Sequence, residues 1–186
     1  MKNKIQKGFT LIEMVLVIVA VGIIGSMAAT MLFQGADIFV SETNRQGFVS
    51  ANRSAFWKLM RETQGQNSPN DFTLSDHNSL YLNNGNGTLK EYQTASPGTF
   101  DYRQGSGNYN SLSNSYHYNL STGFQFYNAN FSLITPSNGS LSQTEAKTVR
   151  LSRLDLSFVH DTDTLSLSTF IYPQNFRFGT KMSFHE

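Results

Sequence analysis

Between Met14 and Phe33 this 186-residue chain has no charged residue, and Lys2, Lys4, Lys7 and Gly8 stand just ahead of that run. At ~1.5 Å per residue, an apolar helix of such length crosses ~30 Å of hydrocarbon. The lysines predict an amino end held in the cytoplasm, with the chain after the span on the other side of the inner membrane. Glu13 does not suit a plain anchor, because it sits at the entrance of the run and no basic residue follows until Arg45. A carboxylate there costs on the order of a few kcal/mol without a partner, which marks it as functional by default. Cutting the chain between Gly8 and Phe9 would supply a partner, the new α-amine of Phe9, from the same chain or from a neighbouring copy. Pairing such charges at low dielectric favours side-by-side assembly and sets the axial stagger between copies.

The string Lys7-Gly8-Phe9-Thr10-Leu11-Ile12-Glu13 with its long apolar helix resembles the type IV prepilin signature, shared by pilus subunits and the pseudopilins of type II secretion. The resemblance implies that a prepilin peptidase cuts Gly8–Phe9 on the cytoplasmic face, with Lys7, Thr10, Leu11 and Ile12 completing the motif it reads. It further implies N-methylation of the Phe9 amine and a role for Glu13 in aligning subunits. The implied partners are the prepilin peptidase/methyltransferase, other pilin or pseudopilin subunits and an inner-membrane assembly platform. The competing reading is an ordinary signal peptide cleaved near Ser26-Met27-Ala28. Against it stand an apolar run longer than the usual ~7–15 residues and the acid at its entrance.

Charged residues are 15% of the chain and the net charge is +1, which points away from a nucleic-acid surface. The absence of cysteine excludes a disulfide framework and a thiolate metal site. Many minor pilins of related systems carry a disulfide near the carboxyl end, so here the last strands must be held by packing and hydrogen bonds.

The expected fold is α+β and pilin-like: a leader (1–8), a transmembrane or filament-core helix (9–33), an amphipathic helix (34–64) and a β-rich head (65–186). No proline precedes Pro69, and a continuous helix over 9–64 would measure roughly 80 Å. Ala36, Val40, Phe48, Ala51, Ala55, Phe56, Leu59 and Met60 form an apolar stripe, with Arg45, Arg53, Lys58, Arg61 and Glu62 towards water. Glycines 22, 25, 35 and 47 weaken the helix by about 1 kcal/mol each relative to alanine or let neighbouring helices approach. Gly22 also matches a glycine around which assembled pilins lose helical order.

Gly65 to Asn70 should end the helix. Strands are expected at Phe72–Leu74, Leu80–Leu82, Thr88–Tyr92, Tyr116–Tyr127 and Phe131–Ile134, with a turn at Asn83–Gly87. Residues 94–115, rich in Ser, Asn, Gly and Tyr, read as a polar surface loop. Val149–Val159 and Leu165–Tyr172 form the clearest hairpin, turning at Asp161-Thr162-Asp163. A change of apolar phase near Arg153 predicts a bulge, and the hairpin should centre a second sheet or half-sheet. Leu120–Tyr127 and Leu167–Asn175 are similar to the tail of minor pilins and of the J-type minor pseudopilin, and many major pilins have a proline near Thr30 that this chain lacks.

No hydrolase, P-loop or dinucleotide motif occurs, and His77, His117, His160 and His185 lack ligand spacing. Asp155, Asp161 and Asp163 are the candidates for calcium oxygens, as in major pseudopilins, although an Asp-rich β-turn is more often only a turn. Neither a cofactor nor an enzyme is expected. The leading expectation is a minor subunit of a type IV pilus, a mannose-sensitive-haemagglutinin-type pilus or a secretion pseudopilus, placed in a tip or initiation complex. The alternatives are a tip adhesin using Tyr102, Tyr109, Tyr116 and Tyr118 as a binding face, and a major pilin.

Overall fold

With no proline to break it, a single helix, α1, runs from Leu11 to Gln64 over 54 residues. The computed structural model describes residues 8–84, 87–94, 98–118 and 123–178, with the side chains of 177 and 178 excepted. Lys2, Lys4, Lys7, the Gly85-Asn86 part of the expected turn, residues 95–97 of the expected loop, Leu120 to Thr122 and His185 lie outside the described residues. The chain forms two compact units that divide between Gln46 and Gly47.

In the first unit every described side chain is exposed. Its hydroxyls turn inward on the helix: Ser26 donates to the Ile23 carbonyl at 2.8 Å, Thr30 to Ser26 at 2.9 Å and Thr43 to Phe39 at 2.8 Å. In the second unit Phe48, Ala55, Phe56 and Leu59 recur at helical spacing and enter the core. Asn52 and Thr63 share that buried stripe. Asn52 Nδ2 donates to the Phe48 carbonyl at 2.8 Å and its Oδ1 accepts from Ser113 Oγ at 2.6 Å, so its burial leaves neither group unpaired. Ala36, Val40 and Ala51, expected in the stripe, are exposed. Lys58, expected in water, is half-buried with Nζ 3.7 Å from the Tyr102 ring centroid. Burial pushes its pKa below the usual lysine value.

The head is one antiparallel sheet of seven strands. β1 (Ser79–Asn83), β2 (Leu89–Gln93), β3 (Gly98–Gln104) and β4 (Asn110–Tyr116) form a meander. β5 (Gly123–Tyr127), β6 (Leu151–His160) and β7 (Asp163–Ile171) form a second half. β7 runs along one edge of β6 from Ser152 to His160. The other edge of β6 is shared end to end: β5 pairs with Leu151–Asp155, and β4 meets it only at Tyr116↔Phe158. The His117 N–H reinforces that joint by donating to the Ser157 carbonyl at 2.8 Å. The expected half-sheet is therefore present, continuous with the meander through a narrow seam.

Inward residues Leu154, Leu156 and Phe158 of β6 are fully buried, and Phe72, Phe100, Phe126 and Tyr92 surround them. The bulge expected near Arg153 is absent, since register runs unbroken along β6 on both sides. Ser152 takes the inward place, and Val149, whose phase suggested the break, is the C-cap of a short helix, α2 (Gln143–Thr148). Ser142-x-x-Glu145 at the start of α2 is a capping box, so the helix is legible in the sequence.

Three further expectations are corrected. The segment 94–115 contains β3 and most of β4, because buried Phe100 and half-buried Tyr102 and Leu112 anchor it while small hydroxyl side chains face outward. Phe72 belongs to a 3₁₀ turn, Pro69–Phe72, capped by Ser68, and Leu74 takes a positive φ of 71° that no strand allows. Phe131–Ile134 makes only an isolated bridge, Tyr127↔Leu133, after Phe131 turns at φ 57°.

Gly123 opens β5 at φ +141°, and a Cβ there would collide with the carbonyl and ring of His77. Gly123→Ala is expected to destabilise the head by about 2 kcal/mol or more, read as a lower denaturant midpoint of the detergent-solubilised full chain. Hydrogen bonds from the Ser137 hydroxyl and from the Ser142 amide and hydroxyl hold the Glu145 carboxyl down at about 2, against an ordinary 4.5. A carboxyl depressed in the folded state stabilises it above the unfolded value, and that contribution is lost as pH falls from 4.5 to about 2. Amide-exchange protection factors at Ala146 and Val149 should fall across that window in the parent chain and much less in Glu145→Gln.

Candidate functional site

Thr10 stands immediately before the first residue of α1, and Glu13 is the third residue inside it. The backbone N–H of Thr10 donates to Glu13 Oε2 at 2.8 Å and its hydroxyl donates to the same oxygen at 2.7 Å. In return the Glu13 N–H approaches Thr10 Oγ1 at 3.4 Å. This is a capping box, in which side chain and backbone satisfy each other's otherwise orphaned groups at a helix start. The pattern Thr-x-x-Glu is present in the sequence, so Glu13 caps its own helix as well as offering a charge to a cation.

The geometry divides the carboxylate in two. Oε2 is fixed by Thr10, while Oε1 makes no hydrogen bond among the described residues. Phe9 precedes the cap with its side chain 72% exposed, and Leu11 and Ile12 are exposed beside it. Lys7 lies outside the described residues. Beyond the cap, the helix is long and apolar enough to cross a membrane. A Cβ at Gly22, Gly25, Gly35 or Gly47 would meet nothing within 4 Å, so among the described residues no contact explains these glycines.

Residues 3–29 match the family model of the prokaryotic N-terminal methylation motif. This amino-terminal segment is type IV prepilin-like. No curated protein and no solved structure matches it significantly. The prepilin-like motif implies processing by prepilin peptidase and assembly with other pilins in a membrane, and with the apolar helix it fits anchoring in the inner membrane. The long helix followed by an antiparallel seven-stranded sheet is a pilin-like α+β arrangement.

Outside the amino end, the other residues singled out do not converge. Asp155 pairs with Arg153 at 2.7 Å. Asp161 sits in the hairpin turn at φ 52°, beside His160 at 3.7 Å, and Asp163 opens β7 opposite His160. The five positions along β6 between Asp155 and His160 correspond to roughly 17 Å, so the three aspartates do not form one calcium shell. Among the described residues, no group of three or more His, Cys, Asp or Glu side chains is placed to hold a metal.

The four tyrosines are dispersed as well. Tyr116 is buried, Tyr102 lies under Lys58, and Tyr109 donates to Glu91 Oε1 at 2.7 Å beneath the Arg103 guanidinium. Burial and the adjacent Glu91 push the Tyr109 hydroxyl up to about 12. Tyr118 is exposed at 38%.

Thr10→Ala removes the hydroxyl from the cap and is expected to weaken the first turn of α1 by about 1 kcal/mol. Amide exchange at Glu13 and Met14 in bilayer nanodiscs should accelerate accordingly, whereas Thr10→Ser should exchange like the parent.

Proposed function

We propose that this protein is a minor structural subunit of a type IV pilus or type II secretion pseudopilus, stored in the inner membrane and inserted into the filament near its tip. The observation that supports it is the continuity of Gly8, Phe9, the Thr10–Glu13 cap and the apolar helix within one matched motif. In this reading a prepilin peptidase reads Lys7 and Thr10 to Ile12, cuts between Gly8 and Phe9, and the Phe9 amine is methylated.

Cleavage changes the electrostatics of the helix start. It removes the leader cations and leaves one cation, the Phe9 amine, next to the capped carboxylate. With Oε2 held by Thr10, Glu13 presents Oε1 to a neighbour's Phe9 amine without having to unfold its own first turn. The pair is charge-assisted and poorly screened in lipid, so it selects both the neighbour and its axial position. Apolar side chains of α1 then exchange lipid for helix contacts while the head stays outside, opposite the cytoplasm. The chain's features call for no catalytic step.

The test measures the amino-terminal peptide mass in membranes and in sheared filaments. The expected species begins with methylated Phe9 in both, and a terminus near Ala29 would replace the filament reading with a secreted head. Glu13→Ala should keep cleavage and membrane insertion but fall by about tenfold or more in filament abundance, the scale of a lost charge-assisted contact. Normal abundance of that variant would remove the alignment role from Glu13.

A further inference from the structure

Among the described residues, the edges of β1, β4 and β5 are covered or irregular, and that of β7 is the most open. On β1 each outward group is paired: Ser79 N and O with Asp76, Tyr81 N with Ser75 Oγ, Tyr81 O with Gln66 Nε2, Asn83 N with Gln66 Oε1 and Asn83 O with Asn67 N. On β5 the Phe124 N–H donates to the His77 carbonyl at 2.9 Å, and the Phe126 carbonyl accepts from Ile134 N at 2.8 Å. The free side of β4 is irregular: its register against β3 shifts twice, and the hydroxyls of Ser111 and Ser113 bond back onto Ser113 O and Ser115 N. Side-chain plugs, covering segments and irregular register are the means by which natural sheets blunt their edges.

Among the described residues β7 has neither a covering segment nor an irregular register. Its register with β6 is unbroken, and the stretch from Thr164 to Ile171 contains no charge, proline or glycine. The direction of its backbone groups follows from β6. Ser157 turns its carbonyl away from β7, to His117, so in an antiparallel ladder the alternate residues Arg153, Asp155 and Val159 turn the same way. Their partners Phe170, Ser168, Ser166 and Thr164 therefore point N–H and C=O away from β6. The close Ser157–Ser166 hydroxyl pair, 3.3 Å apart, is what a non-hydrogen-bonded pair gives. Among the described residues these outward groups receive one contact, a 3.5 Å approach of the Thr169 hydroxyl to the Phe170 carbonyl. On the core side, Leu165 and Leu167 pack on the core but remain only half-buried.

We propose that the open edge of β7 is a docking site for an extended strand donated by a different subunit. This rests on the filament reading above. A backbone edge with regularly spaced donors and acceptors is complementary to another extended backbone, and apolar side chains on the donor strand would complete the cover over Leu165 and Leu167. A second copy of this chain does not suit the role. Subunits stacked in one polar direction meet through unlike surfaces, and among the described residues the β1, β4 and β5 edges are already closed or irregular. The donor is a neutral strand, because β7 offers neither sign of charge between Thr164 and Phe170.

The test places p-benzoylphenylalanine at Ser168 in the full chain and illuminates intact membranes and filaments. A crosslink to a different pilin-like subunit, mapped by mass to an extended segment, is the expected result. A β7-to-β7 homodimer, a crosslink within the chain or no crosslink overturns the proposal. Ser166→Pro removes an outward N–H without touching the β6 ladder, and Ser168→Lys adds a charge to the edge. Both should lower partner recovery about tenfold with the denaturant midpoint of the head unchanged, and unchanged recovery in both overturns the proposal. The Phe9 peptide mass from the same samples separates the two readings, since correct processing without a crosslink removes only the strand-docking claim.

Discussion

The head depends on β6 having two edges that do different work. One edge is given wholly to β7, and the other is divided between β5 and the tip of β4. The inward side chains Leu154, Leu156 and Phe158 thereby sit under both halves of the sheet, and the aromatic contacts Phe100–Phe158 and Tyr116–Phe158 cross the seam where backbone pairing is thin. Removing water from these rings compensates for the few hydrogen bonds available there. The stripe from Phe48 to Thr63 closes the same core, and for this reason the helix residues with a role in folding begin only at Phe48.

How much of this was legible depends on where each residue's environment is decided. The amino end is local chemistry: lysines, glycine, an acid and an apolar run announce themselves within a few residues. The β6–β7 hairpin was legible for the same reason, because alternation of Leu and Ser survives in a strand with one covered face. β3 and β4 were not, since their outward positions are filled by Ser, Asn and Tyr, residues that also make loops. The tertiary anchors Phe100 and Leu112 decide the matter. Phe72 misled in the opposite direction, as an apolar residue delivered to the core by a 3₁₀ turn looks like a strand residue when only its hydropathy is read.

The same four-residue grammar appears at two helix starts with different consequences. At Ser142–Glu145 both halves of the box are used within the head, and the carboxylate is drawn down by Ser137 as well, so nothing is left over for a partner. At Thr10–Glu13 only one carboxylate oxygen is engaged among the described residues. A cap that fully satisfies its acid is architecture, whereas a cap that holds the acid by one oxygen also aims the other.

That distinction carries weight because of what the apolar segment leaves unsatisfied. From Met14 to Phe33 the polar side chains Ser26 and Thr30 donate to carbonyls three or four residues back, and the helix backbone satisfies itself. Nothing polar along this run is left to fix position against a neighbour, and apolar surfaces slide past one another at little cost in lipid, where no hydrophobic force distinguishes one register from the next. Specificity along the span must then come from its ends. Glu13 is the one ionisable side chain from Gly8 to Gln34, and in the head the sheet provides directional groups, most of them paired among the described residues. In the filament reading proposed above, the span would contribute the Glu13 carboxylate and the head the β7 edge as the two directional groups offered to neighbours.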